Sequence, residues 1–411
     1  MIFTAAQLSA LPVLDTCDVL IAGGGVAGVA AALSAARAGA KVTLIEREYA
    51  LGGLATLGLI TYYLPLCDGM GRQVSFGLAE ELLRLSISQG AEGEYPQEWF
   101  ENGDLESRVK HRYRTRFNPQ LFALLCEQEL LRAGVRLIYG CEITDAQTDA
   151  DGVRQIVVQS RLERGVIRAK TYVDATGDAI LAAAAGETTR SFEQGNILAA
   201  WYYMQEAAGA RLRVLGAADI PDRHKNQQNS GPKLLTAQRF TGLDTLELSD
   251  MTMQSHDAML REVLARRAAD PAVWPVTMAT IPQVRMTRCV QGRVVLDDTA
   301  PHCHEPRSIG MISNWRKPGP VYELPFDILQ GTRVPNLYAA GRCVSATDAM
   351  WDLTRVIPAC AVTGEAAGLA AAMHARDGAA PDIAALQESL VQAGVVPVSY
   401  THLTLPTIYS V

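Results

Sequence analysis

The chain lacks any excess of positive charge: across 411 residues, 44 Asp and Glu outnumber 37 Lys and Arg, for a net charge of −7. Nucleic-acid backbones are held by clustered Lys and Arg, so this balance argues against nucleic acid as the main partner. One run, His111-Arg-Tyr-Arg-Thr-Arg116, breaks the pattern, and its alternation reads as an exposed strand or loop. No Cys-x-x-Cys occurs among the eight cysteines, which disfavours a structural zinc and a vicinal redox disulfide, and no metal site is expected. Thinly spread cysteine fits a reducing cytosol, so a cytoplasmic location is the expectation. No apolar run reaches the roughly 18 residues of a membrane span, and the N-terminus lacks the basic flank of a secretory signal. Neither an internal repeat nor a low-complexity tract is visible.

What is present begins at Asp18. Asp18-Val-Leu-Ile-Ala22 is a short apolar run suited to a parallel strand buried on both faces. Gly23-Gly-Gly-Val-Ala-Gly28 follows, then an Ala-rich helix closed by Gly39, then the strand Lys41–Glu46. A G-x-G-x-x-G motif is weak alone, but here it joins a strand to a helix inside one βαβ unit. Gly23 permits the tight turn, Gly25 lets backbone approach a pyrophosphate, and Gly28 lets helix and strand pack closely. The helix start, including Val26 and Ala27, offers unpaired N–H groups to phosphate. Glu46, with Arg47 beside it, stands where a carboxylate accepts from ribose hydroxyls.

Three later segments favour a long dinucleotide, FAD over NAD. Leu51-Gly-Gly-Leu-Ala-Thr56, with Gly52 and Gly53, offers small residues along which a long cofactor can run. Ala175-Thr-Gly-Asp178 ends a second strand, bringing Ala175, Thr176 and Gly177 toward the adenosine end. Asn336–Ala340 is a third strand, turning at Gly341-Arg342 toward a helix that opens at Pro358-Ala359. Pro is well placed in a first helical turn because it has no N–H to leave unpaired. Gly364 and Gly368 would let that helix pack tightly on backbone.

The predicted fold class is α/β: a Rossmann-like domain of parallel sheet plus small β meander, with an inserted α+β cap or substrate domain. The nucleotide domain is discontinuous over 15–60, 113–187 and 334–395, with an insertion at 61–112 and the cap at 188–333. Within it, a helix over 120–133 presents Leu121, Leu124, Leu125 and Leu131, and a hairpin centres on 149–152. Residues 398–411 resemble the translation of a sequencing adapter; a non-native tail is the expectation, and they are set aside.

Taken together, the glycine motif, Leu51–Thr56, Ala175–Asp178, Ala340–Thr347 and Met350–Cys360 resemble FAD-dependent oxidoreductases related to fumarate reductase flavoprotein subunits, with the glutathione-reductase-type FAD fold. The resemblance runs from residue 15 to about 395. It implies FAD, and it implies that Gly341 and the helix from Pro358 sit against pyrophosphate and flavin ring. Relatives with covalent flavin carry a His after the second strand; Leu54–Leu66 has none, so non-covalent FAD is expected. No second glycine fingerprint of NAD(P) type follows.

A flavin carries the hard chemistry, leaving the protein to orient substrate and move protons. Arg355, just before the flavin-facing helix, is a candidate to hold a substrate carboxylate or oxyanion. Asp348 and Asp352 are candidate proton acceptors in the same loop, where Trp351 is ring wall or core. In the cap, Arg285 and Arg288 resemble an arginine-rich substrate-side segment of the family. His302 and His304 could share one strand face; without a third ligand, His302 is better taken as an acid or base. Cys343 and Cys360 read as buried apolar residues, and Trp201–Met204 as a strand that lines the flavin or packs on core. The expected function is transfer of hydride equivalents between a small, anionic or oxygen-rich organic substrate and flavin N5, with the electron partner open. A redox-neutral flavin hydratase or isomerase and a non-catalytic electron-relay subunit are the alternatives.

Overall fold

The computed structural model describes residues 11–216 and 234–398. Ser399 onward, most of the tail set aside above, lies outside the described residues. The central sheet contains β1 (Val13–Ala22), β2 (Val42–Glu46), β3 (Arg136–Tyr139), β4 (Glu142–Asp149), β5 (Gly152–Gln159) and β6 (Arg164–Asp174). Their spatial order is β3-β2-β1-β6-β5-β4. The C-terminal half of β6 is also flanked by Leu337–Ala339 in parallel, while its N-terminal half pairs antiparallel with β5. The sheet therefore divides at β6, one branch parallel and one a meander, as the order of elements in the sequence implied. β1, β2 and β6 run parallel, and β2 is buried throughout with the C-terminal ends of β1 and β6, which is why the end of β1 reads as a continuous apolar run.

Helix α1 (Val26–Arg37) is buried along ten of its residues. Among the helices that precede the cap are α2 (Leu78–Ser86) and α3 (Pro119–Arg132). Asn118 caps α3, its side chain accepting from the Leu121 N–H. The face that α3 buries is not the leucine stripe expected from spacing. Phe122, Ala123, Cys126 and Leu130 are inside, whereas Leu124 and Leu131 are exposed. Both stripes have helical period; packing on α1 and α2 selects the aromatic one. The Arg-rich run also differs from the expectation of an exposed strand. Tyr113 is buried, stacked on Trp99 at 5.0 Å between ring centroids, and Thr115 is buried beside it.

The segment expected to form the cap carries an antiparallel sheet of β7 (Ala199–Glu206), β8 (Gly209–Gly216) and β9 (Trp274–Met278), with β7 in the middle. Helix α4 (Thr245–Ala269) lies on it. The chain then returns through α5 (Asp348–Thr354), α6 (Ile357–Asp377) and α7 (Ile383–Gln392). Helix α6 lies directly on α1: a Cβ at Gly364 would stand 2.2 Å from the Ala27 carbonyl oxygen, and one at Gly368 2.1 Å from that of Ala31. Among the described residues no single helix is long and apolar enough to cross a membrane. The apolar pair α5 and α6 is bent by 86° and buried within the protein.

Candidate active site

A cleft of about 380 Å³ opens at the C-terminal ends of β1, β2 and β6, where open α/β sheets place their ligands. The strand ends and the turns after them are polar-backbone surfaces, and the sequence makes them small. Gly23 has φ +98°, and a Cβ there would lie 2.7 Å from the Ala175 carbonyl oxygen. The first glycine turn is thus seated directly on the end of β6. Gly25, by contrast, faces open space. It is the N-cap of α1, with no side chain capping the helix, so the first N–H groups of α1 are left to whatever occupies the cleft. The Gly52 N–H donates to the Gly24 carbonyl at 2.8 Å, fastening the second glycine segment alongside the first.

Glu46 ends β2 with its carboxylate at the cleft. The N–H groups of Gly24 and Glu48 donate to its two oxygens at 2.6 and 2.8 Å. Burial raises its pKa while these two donors oppose the shift. A carboxylate has further lone pairs after two such bonds, so Glu46 can still accept from a ribose. Orphan N–H donors, an open glycine and an anchored carboxylate on one wall suit a dinucleotide's pyrophosphate and ribose.

Most residues expected at a cofactor are brought together here. Gly23, Gly25, Val26 and Ala27 line the cleft with Glu46 and Arg47; so do Gly52, Gly53, Ala175, Thr176, Gly177, Gly341 and Arg342. Gly28, Pro358 and Ala359 stand behind the lining and are buried. Arg342 also has a bracing role: it donates to the Val284 carbonyl at 2.7 Å and to Asp178 at 3.2 Å, tying the cap to the end of β6. Thr280, Ile281, Pro282 and Val284 form a cap wall that sequence reasoning missed. Nothing local marks them, because their place is set by contacts such as the Thr280 N–H to Leu57 carbonyl bond, far away in the chain.

The chemistry candidates separate. Arg355 lines the cleft at the break between α5 and α6. Its guanidinium pairs with Asp352 at 2.5 Å, and Arg316 takes the other Asp352 oxygen at the same distance. Asp352 is almost wholly buried, so it positions Arg355 from behind. Asp348 is held by Arg190 at 2.7 Å and does not line the cleft. Arg190 sits over the Trp351 ring, whose N–H donates to the Arg342 carbonyl at 2.8 Å, so Trp351 is core. Arg288 donates to the Asp178 carbonyl at 3.0 Å, outside the lining. His302 is exposed, at φ +59°, and likewise lies off the cleft. His304 stands 3.3 Å from Glu323, and no cluster of metal-ligating residues occurs among the described residues. Cys360 lines the cleft, but burial pushes its thiol up to about 12, which disfavours a thiolate. Cys343 is buried too, its thiol raised well above the ordinary range.

Comparison with known proteins bears on this geometry. The family model described as FAD dependent oxidoreductase matches residues 18–199 and 276–392. Aklavinone 12-hydroxylase DnrF of Streptomyces peucetius is 25% identical over 276 residues, 55% of this chain and 53% of that protein. Thioredoxin reductase of Ureaplasma parvum is 32% identical over 74 residues, 18% of this chain and 24% of that protein. The chain thus spans about half, and about a quarter, of the lengths of these curated relatives. Among solved structures, p-nitrophenol 4-monooxygenase PnpA from Pseudomonas putida aligns with a TM-score of 0.49 at 14% identity, covering 92% of this chain and 84% of that one. The matched family segments take in the strand ends of the cleft and all its glycines but Gly242, and together they span most of the chain; it belongs to the FAD dependent oxidoreductase family, and FAD is its cofactor.

Proposed function

We propose that the chain is an enzyme that moves hydride equivalents between a small anionic organic substrate and non-covalently held FAD. The discontinuous segments 15–60, 113–187 and 334–395 form the cofactor domain in this reading, and 188–333 caps the substrate side. FAD, when bound along the cleft, supplies the two-electron centre. The N–H groups at the start of α1 hold its pyrophosphate, and Glu46 accepts from a ribose. The single observation that carries the substrate class is Arg355 on the cleft wall, at the uncapped N-terminus of α6. A fixed guanidinium there binds a substrate carboxylate, and the helix start adds positive potential on the same side. Asp352 keeps the guanidinium in one orientation, so little ordering remains to be done when substrate arrives. The Thr280–Val284 wall covers one side of the cleft, and the less water reaches the bound pair, the stronger each of these interactions is.

Absorption spectroscopy of the purified protein tests the reading in two steps. Flavin bands that bleach on anaerobic reduction, with flavin released by acid, are expected first. Anaerobic addition of small carboxylates should then bleach the bands where neutral analogues do not, and Arg355→Ala should abolish that preference. Flavin retained in the acid pellet would overturn non-covalent binding. Equal bleaching by neutral analogues, unaffected by Arg355→Ala, would overturn the anionic substrate.

A further inference from the structure

Helix α4 is apolar on two opposite faces. Ala258, Met259 and Val263 turn inward onto Ala200, Tyr202 and Met204 of β7, and Met251 onto Leu198, Phe240 and Val284. On the other side Leu246, Met253, Leu260 and Leu264 are 80%, 62%, 56% and 58% exposed. Their spacing of seven, seven and four residues sets all four on one narrow stripe of the helix. A surface helix ordinarily carries polar residues there, so a stripe of this length needs a cover. The neighbouring edge strand β9 extends the apolar surface with Trp274, Val276 and Met278, all about half exposed. The family match breaks between residues 199 and 276, so the stripe lies in the part where this chain departs from the shared pattern.

The charge pattern indicates what the cover is. Glu247 and Asp250 lie in the N-terminal half of α4, while Arg261, Arg266 and Arg267 lie in the C-terminal half. Such a helix complements its own reverse. With a two-fold axis between Ser255 and His256, Leu246 falls within one residue of Leu264 of a second copy, and Met253 within two residues of Leu260. The same register sets Asp250 opposite Arg261, which is exposed and paired along its own helix with Asp257 at i,i+4. The charged pair fixes the register, and at about 1.5 Å of rise per residue the apolar side chains of the two copies stay within reach of one another across it.

We propose that the solvent face of α4 is a homodimer interface in which two copies pair this helix antiparallel. It goes beyond the cofactor chemistry and does not depend on it. A helix pair flanked by β9 falls toward the lower end of specific interfaces, around 1,200 Å² in total. Association should therefore be visible as a concentration dependence.

Sedimentation velocity on the full chain, from about 1 to about 100 µM, is the test. A monomer–dimer equilibrium is expected, and Leu260→Arg should reduce dimer at least tenfold while leaving circular dichroism and bound flavin unchanged. Asp250→Arg and Arg261→Asp should each weaken the dimer, and the double variant should regain it, a reversal that mere unfolding cannot produce. A monomer at every concentration would overturn the proposal. So would a dimer indifferent to Leu260→Arg and to both charge variants, or a stripe that binds lipid vesicles while the protein stays monomeric.

Discussion

Replacing Gly364 by Ala puts two opposing effects in competition, and the structure decides their order. Within a helix, Ala is favoured over Gly by about 1 kcal/mol. Against this, the new Cβ would stand 2.2 Å from the Ala27 carbonyl oxygen, where ordinary contact begins at 3.4 Å. Helix α6 would have to withdraw from α1 by about 1 Å, loosening the contact along its length. Overpacking costs about 1–3 kcal/mol, and a clash with backbone falls in the upper part of that range, about 2–3, so the net change is a loss of roughly 1–2 kcal/mol. Gly368 meets Ala31 on the same ridge at 2.1 Å, so one displacement relieves both clashes. The double variant should then lose little more than either single one, a departure from additivity. Because α1 begins at the cleft and Gly341 packs on Ala27, FAD affinity should fall together with stability. Urea unfolding and FAD titration of the apoprotein measure the two. A Gly364→Ala variant as stable as the parent, or more so, would refute the reasoning, since propensity would then have outweighed packing.

Glu46→Gln keeps the side chain's shape but gives up the charge that the Gly24 and Glu48 N–H groups support. Loss of one charge-assisted bond to ribose should weaken FAD by about 10- to 100-fold, read by quenching of flavin fluorescence. Glu365 is buried in α6, accepts from the Leu78 N–H at 2.8 Å, and has its pKa raised by burial from an ordinary 4.5 to about 8. Between those values the folded protein binds more protons than the unfolded chain, so stability should fall as pH rises through that window. Glu365→Gln should flatten the dependence when urea midpoints are compared at about pH 5 and about pH 9. Cys303 is exposed and the other seven cysteines are buried, so native thiol titration should find one fast-reacting group. Two or more would show that a buried thiol is accessible.

The first βαβ unit was legible because its signals are local. Burial on both faces forces a continuous apolar strand, a tight turn forces Gly23, and a helix start open to ligand admits no bulky side chain. The α6 ridge of Gly364 and Gly368 was readable for the same reason. The leucines of α3 misled because period alone does not say which of two apolar stripes faces inward. The run from His111 to Arg116 misled because the stack of Tyr113 on Trp99 depends on a contact across the intervening helix Leu105–Lys110. Asp348 was placed near the chemistry by chain order, Arg288 by resemblance and His302 by the acid–base character of its ring, and none of these fixes where a side chain points.

The sequence by itself therefore determined the βαβ topology, the glycine turns and the carboxylate at the end of β2, since each is a property of a few consecutive residues. Only the tertiary structure decided which cations face the cleft, that Asp352 stands behind Arg355, and that Thr280–Val284 closes the opposite wall. Those arrangements join residues dozens to hundreds of positions apart, and what selects them is packing and hydrogen-bond satisfaction over the whole domain, which no local pattern records.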